Sequence, residues 1–406
     1  MSKAASRVRC LIGAVSSSPS LSARRVLLAA LVVHLGLAIV FAVRSGQPAF
    51  DFDRYHEIVT QAGRPYVDRA VEHPLATVAV FEGLARLTGT RAGFGLGIVL
   101  LNAVADALIV GALLVGWGEA AAAVFAVMLI PLLDLFFNRI DPWPVAAATV
   151  AVAAWRRGAP RASGAALALG AGFKLWPFAL AGMLMAPPQR AALEAARFRR
   201  RGVAAFTLVG GALAAAMLLL AGARGVLQVV SFRGATGWQI EGVAGSLLHL
   251  LGGRPRFESG AWRIGLTSGP VSLALFALAA ALGLWSSWRG ARSERPGTGW
   301  LATVSVLLLS SPLFSSQYVI WLVPAAAIAW TEGARAPVHL TAVAVVLTCA
   351  FWSAFAAVIS GQTPALVLVV LRNVVVLALS VASLRRLASL STPGVPGNPR
   401  RMGDAL

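Results

Sequence analysis

Residues 26–43 read VLLAALVVHLGLAIVFAV, and residues 51–81 read DFDRYHEIVTQAGRPYVDRAVEHPLATVAVF. The first stretch carries no charge and is close to the ~20 apolar residues that cross a bilayer. The second brings Asp51, Asp53, Glu57, Asp68 and Glu72 to the place where that span ends. A membrane helix followed at once by an acidic loop is the pattern that the rest of the chain repeats in weaker form.

Eleven further apolar segments follow, at Ala92–Trp117, Ala120–Phe137, Pro142–Trp155, Ser163–Phe173, Leu175–Ala186, Gly202–Ala221, Pro270–Trp288, Gly299–Ser311, Tyr318–Trp330, Val338–Ile359 and Pro364–Leu384. Several are shorter than a full span, which suits a water-filled cavity or a locally thinned membrane. Hydrophobic residues make up 58% of the 406 positions and charged residues 13%, with a mean hydropathy of +0.76. About a quarter of a soluble domain is charged, so a water-soluble enzyme is excluded, and so is disorder. The sequence therefore predicts an all-α polytopic membrane protein of about twelve helices, with a cytoplasmic tail (1–25), a single transmembrane domain (26–384) and a disordered cytoplasmic tail (385–406).

The 35 basic and 16 acidic residues leave a formal charge of +19. In a soluble protein that would suggest nucleic acid; here it fits cationic cytoplasmic loops, and no nucleic-acid partner is expected. Orientation follows from the same bias. With the N-terminus inside, Arg156, Arg157 and Arg161, the stretch Arg190–Arg201, the group Arg289, Arg292 and Arg295, and the tail from Arg385 all fall inside. Segment 74–91, with Glu82, Arg86 and Arg91, reads as an amphipathic surface helix rather than a span. Outside lie the first loop (44–91), the turns around Arg139 and Lys174, a long loop (224–269) and Ser315–Tyr318. The setting is a multi-pass protein of the cell membrane with both termini cytoplasmic.

Nine of the 16 acidic residues fall in those outer loops. Asp51 and Asp53 form a D-x-D pair that would face one way on an extended chain and apart on a helix. On an extended chain one carboxylate serves as a general base, or both hold a divalent cation such as Mg2+ or Mn2+. Arg139 and Asp141 sit at the end of a span. Lys174, the one lysine outside the N-terminal tail, lies between apolar segments, where a cation calls for a compensating anion such as phosphate. Gln239 and Glu241 occupy the long loop, and Gln317 and Tyr318 open a later span. Trp143, Trp176 and Trp321 read as an interface belt, and His34, His249 and His339 as packing residues. Cys10 and Cys349 make no disulfide or metal framework. No cleavable signal peptide, G-x-G-x-x-G or P-loop is evident.

D-x-x-x-Y (Asp51–Tyr55), G-x-P-Y (Gly63–Tyr66), V-E-H-P (Val71–Pro74), N-R-I-D (Asn138–Asp141), GFKLWP (Gly172–Pro177), QIEG (Gln239–Gly242), SSQYVIWLVP (Ser315–Pro324) and LRN (Leu371–Asn373) follow in order. Together they resemble glycosyltransferase family 87 of the GT-C superfamily, polyprenol-phosphate-mannose-dependent mannosyltransferases. The sequence departs from that pattern at His73-Pro74-Leu75 and at Gly242. The resemblance implies a GT-C fold with juxtamembrane helices in the first loop, and an outer-face active site using a lipid-phosphate sugar, mannose first. It implies an inverting displacement in which Asp51 is the base and Asp53 and Glu241 are carboxylates near the sugar. Lys174, Arg139 and Arg233 would hold the donor phosphate. Tyr55, Tyr66, Glu72, His73, Asp141, Gln239, Glu241, Gln317 and Tyr318 would bind sugar or acceptor. The partners would be the lipid bilayer, a polyprenyl-phosphate sugar donor and a glycolipid or glycan acceptor, with no cofactor required. The alternatives are a transporter or flippase of lipid-linked sugars, and a GT-C enzyme using another polyprenyl-phosphate sugar such as arabinose.

Overall fold

The computed structural model describes residues 21–47, 50–231, 235–267 and 269–389. Every one of the twelve apolar segments is helical. Among the described residues, seven helices have the length and apolarity to cross a membrane, including α1 (Leu21–Arg44), α4 (Arg91–Trp117) and α16 (Thr363–Ala388). Several of the remaining segments are shorter: α7 (Pro142–Arg156), α8 (Pro160–Phe173), the 3-10 stretch Trp176–Met185 and α12 (Pro296–Ser310). The chain is a multi-pass helical membrane protein.

The first loop is helical at both ends. α2 spans Phe50–Thr60 and α3 spans Leu75–Thr88. At 14 residues α3 rises about 21 Å, too short to cross a ~30 Å bilayer core. Its Glu82 and Arg86 pair one turn apart at 3.2 Å while Val78 and Phe81 are buried, as its pattern predicts. α9 (Ala195–Val230) breaks at Gly222, whose φ of 64° is left-handed, one residue beyond the predicted end of that span. The long loop folds into a three-stranded antiparallel sheet, Trp238–Gln239 (β1), Arg256–Glu258 (β2) and Ala261–Ile264 (β3), with β3 central, and one helix, α10 (Val243–Leu250).

Exposed apolar side chains cover the outer face of the bundle; Val32, Leu35, Leu208 and Leu219 are more than 60% exposed. That apolar surface has a partner only in lipid. The predicted tryptophan belt is a different matter. Trp143, Trp176 and Trp321 are buried, and Trp321 is stacked between Trp176 (5.1 Å) and Tyr318 (4.3 Å). They build the floor of a polar site instead of marking an interface.

α7 runs from Asp141 at one end of the bundle to Arg156 at the other, about 22 Å for 15 residues. α12 and α13 (Val323–Thr331) join the same two ends. That distance is less than the ~30 Å of a bilayer core.

Candidate active site

Asp51 lies in the first turn of α2, and its carboxylate accepts a charge-assisted bond from Arg139. Arg139 is held in place from behind: Asn102, fully buried on α4, donates to the carbonyls of Phe137 (2.9 Å) and Arg139 (2.8 Å). Burial pushes the Asp51 carboxyl above the usual carboxylate range, against the pull of Arg139 and then Arg54, while nearby Asp141 adds to the rise. A carboxylate shifted in that direction is a better proton acceptor near neutral pH.

Two residues on from Arg139, Asp141 directly precedes α7 and accepts from Lys174 Nζ and Trp321 Nε1, both at 2.7 Å. Lys174 Nζ also lies 4.3 Å from the Tyr318 ring centre and 5.0 Å from that of Trp321. The anion that balances Lys174 is thus Asp141, and its charge is accounted for without a phosphate. This corrects the argument that called for one. The Lys174 side chain remains one-fifth exposed.

The QIEG loop and the SSQY turn close the far side. Glu241 accepts from the Ser316 N–H (2.6 Å) and hydroxyl, from the Ser315 hydroxyl (3.3 Å) and from Gln239 Nε2 (3.1 Å). The Ser315 hydroxyl also donates to the Gln317 side-chain amide oxygen Oε1 at 2.5 Å. Arg139 feels the charges of Asp51, Asp141 and Glu241 together, and Tyr318 those of Asp141 and Glu241. Five motifs spread along the chain from Asp51 to Gln317 therefore meet in one place.

Glu72 is buried and pairs with Arg54, with His73 Nε2 3.4 Å away. Tyr55 stacks on Phe81 (5.0 Å) and meets the edge of His73 (5.6 Å). Its phenol is pushed up by burial and by Asp51, and stays protonated.

Three expectations need correction. The D-x-D pair is helical, so successive alternate residues point about 200° apart. Asp53 turns to Arg91 Nε at 2.5 Å while Asp51 turns to Arg139. The two carboxylates form no common cation site, and among the described residues no group of three His, Cys, Asp or Glu is placed to hold a metal. Asp53 also lies away from the sugar role given it. Tyr66, with a left-handed φ of 67°, spends its hydroxyl on the His73 carbonyl (2.7 Å) and packs with Met217 and Ala221; it braces the loop rather than facing the site. Arg233 lies outside the described residues.

Sequence reasoning gave no site role to Arg54, Ser316, Trp321 and Arg372, although Trp321 was read as a belt residue and Ser316, Trp321 and Arg372 fall within the quoted motifs. Arg372 had a signal: a single charge within the apolar run of the last span. Trp321 and Ser316 had none, because their roles arise only when distant turns meet.

Beside the charged cluster runs an apolar groove of about 540 Å³, lined by Pro74, Leu75, Gly172, Leu175, Phe206 and Met217 among others. Pro74 directly follows His73, and Gly172 and Leu175 flank Lys174. α9, α8 and the start of α3 form its walls.

No protein-family model matches the chain, and no curated protein matches it. Among solved structures, the chain is similar to the crystal structure of ArnT from Cupriavidus metallidurans in the apo state. The TM-score is 0.46 and the identity 17%, over 88% of this chain and 76% of that one.

Proposed function

We propose that this protein is an integral membrane glycosyltransferase of the GT-C type, moving a sugar from a polyprenyl-phosphate donor to an acceptor hydroxyl. The observation that carries this reading is the junction of an apolar groove with a cluster of cations and carboxylates. A substrate that fits both halves has a long apolar chain and an anionic head, and a buried carboxylate beside the head has chemistry to do there. The motif resemblance supports mannose as the sugar, and the arginine bias supports an extracytoplasmic site.

Asp51 takes the proton of the acceptor hydroxyl as its oxygen bonds to the anomeric carbon. The bond from that carbon to the phosphate oxygen breaks, and polyprenyl phosphate leaves with one more negative charge. Arg139 and Lys174 meet that charge where it develops. Glu241 faces the positive character gathering on the sugar ring. Asp51 and Arg139 are paired with each other, so the donor phosphate competes with Asp51 for the guanidinium. Donor binding then loosens Asp51 and readies it as the base, giving an order in which donor precedes acceptor. Asp141 holds Lys174 and Trp321 in position.

The test is reconstitution of the purified protein in liposomes with radiolabelled polyprenyl-phosphate mannose and a membrane glycolipid extract. Labelled acceptor and free polyprenyl phosphate should appear together. Transfer only from a pentose donor would change the sugar and keep the chemistry. Movement of intact donor between leaflets without bond cleavage would replace the enzyme by a flippase.

A further inference from the structure

We propose that Arg372 is a positioning residue that clamps the Glu241 loop, acting on the chemical step through Glu241; this rests on the transferase reading above. Arg372 sits within α16 in the run LVLVVLRNVVVLALS and is fully buried. A buried cation within an apolar span is costly. A Leu or Met would pack there without that penalty, so packing alone does not account for it.

Its contacts say what it does. Nη2 donates to the Glu241 carbonyl at 2.6 Å, and Nε and Nη1 have no hydrogen-bond partner among the described residues. The guanidinium lies 3.8 Å from the centre of the Phe314 ring and 5.1 Å from that of Phe351. Phe314 immediately precedes Ser315 and Ser316, the residues that hold the Glu241 carboxylate. Arg372 thus touches the chain on both sides of the Glu241–Ser316 contact. Asn373 adds a bond to the same carbonyl (3.2 Å) and one to Ser246 (3.0 Å).

The Glu241 turn packs tightly against the start of α10: a Cβ at Gly245, in the first turn of that helix, would lie 2.0 Å from the Gln239 carbonyl oxygen. α16 adds support from outside the loop. The charges of Arg372 and Arg139 both interact with that of Glu241.

The experiment compares wild type, Arg372→Met, Arg372→Lys, Glu241→Gln and the double variant Glu241→Gln/Arg372→Met, on detergent-purified protein of equal monodispersity. Arg372→Met should lower kcat about 10- to 100-fold with the donor KM within about threefold, the signature of an interaction made in the transition state. Arg372→Lys should recover part, since charge returns but the planar stack does not. The double variant should be no slower than Glu241→Gln alone, because both losses pass through one carboxylate. Hydrogen exchange of amides 239–246 gives a readout independent of turnover. It should rise about tenfold in Arg372→Met with the rest of the chain unchanged, even if wild type transfers no sugar. Unchanged exchange in a folded Arg372→Met variant, or losses that multiply in the double variant, would overturn the clamp. Absent turnover in wild type with raised exchange in the variant would overturn the transferase reading alone.

Discussion

The two ends of the bundle use the same materials differently. At the Arg156 end, the Glu332 carboxylate accepts from the N–H groups of Gly297 (2.6 Å) and Thr298 (2.9 Å) and from the Thr298 hydroxyl (2.7 Å). It caps the first turn of α12, where unpaired N–H groups and the helix dipole favour an anion. Arg295 and Arg386 there donate to the Glu332 backbone carbonyl, at 2.8 and 3.1 Å. At the Asp51 end, Asp51 and Asp141 meet the side chains of Arg139 and Lys174, and Lys174 also rests on aromatic faces. Charges spent on the backbone secure the fold. Charges set against each other across loops can be redistributed when an ionic ligand arrives, and at that end Pro74, Gly172 and Leu175, close in sequence to His73 and Lys174, line an apolar groove.

The sharpest way to break this contrast is Arg139→Gln. It should cut turnover by more than about 100-fold, since both the phosphate contact and the partner of Asp51 are lost. Asp51 already sits above the usual carboxylate range. Without the cation its pKa rises further, the base is ionised only at higher pH, and the acidic limb of the kcat/KM profile should move to more alkaline pH. A pH–rate series on both proteins checks the sign.

Lys174→Met comes next, with donor KM raised and kcat lowered, together about 10- to 100-fold in kcat/KM, and Lys174→Arg in between. Steady-state kinetics with varied lipid donor decide it; wild-type values in folded Lys174→Met would confine the lysine to holding Asp141.

Glu332→Gln should behave oppositely. Loss of charge-assisted bonds to the α12 start should cost about 1.5–3 kcal/mol in stability, seen as a lower melting temperature, with turnover per folded molecule unchanged. Asp53→Asn should have the smallest effect, within about threefold in turnover, because its pair with Arg91 is partly exposed. A large loss there would return the D-x-D pair to the chemistry.

Much of this architecture is legible in the sequence because a bilayer demands long uncharged runs, and all twelve were found as helices. The helix 75–88 could be read from charge and apolar length alone, whereas the segment read as the start of a loop at 224 continues as helix to Val230 beyond the break at Gly222. The site was legible where a charge stood against an apolar background, as at Asp51, Arg139 and Lys174. It was not legible where the partner was itself a residue of the chain. Nothing local to GFKLWP or to Asn138–Asp141 says that Lys174 will find Asp141, 33 positions away. The D-x-D reading failed on secondary structure: D-F-D-R-Y-H-E-I-V reads as extended or helical with equal ease, and α2 decides which carboxylate faces inward.

The most direct test of the account is a single-turnover measurement on Asp51→Asn with lipid donor already bound. Donor affinity should stay within about threefold of wild type, while transfer of the sugar to the acceptor falls by about 100-fold or more, the scale of a lost general base. Transfer at the wild-type rate from Asp51→Asn would contradict the central claim, and the charged end of the bundle would then be a binding site without its base.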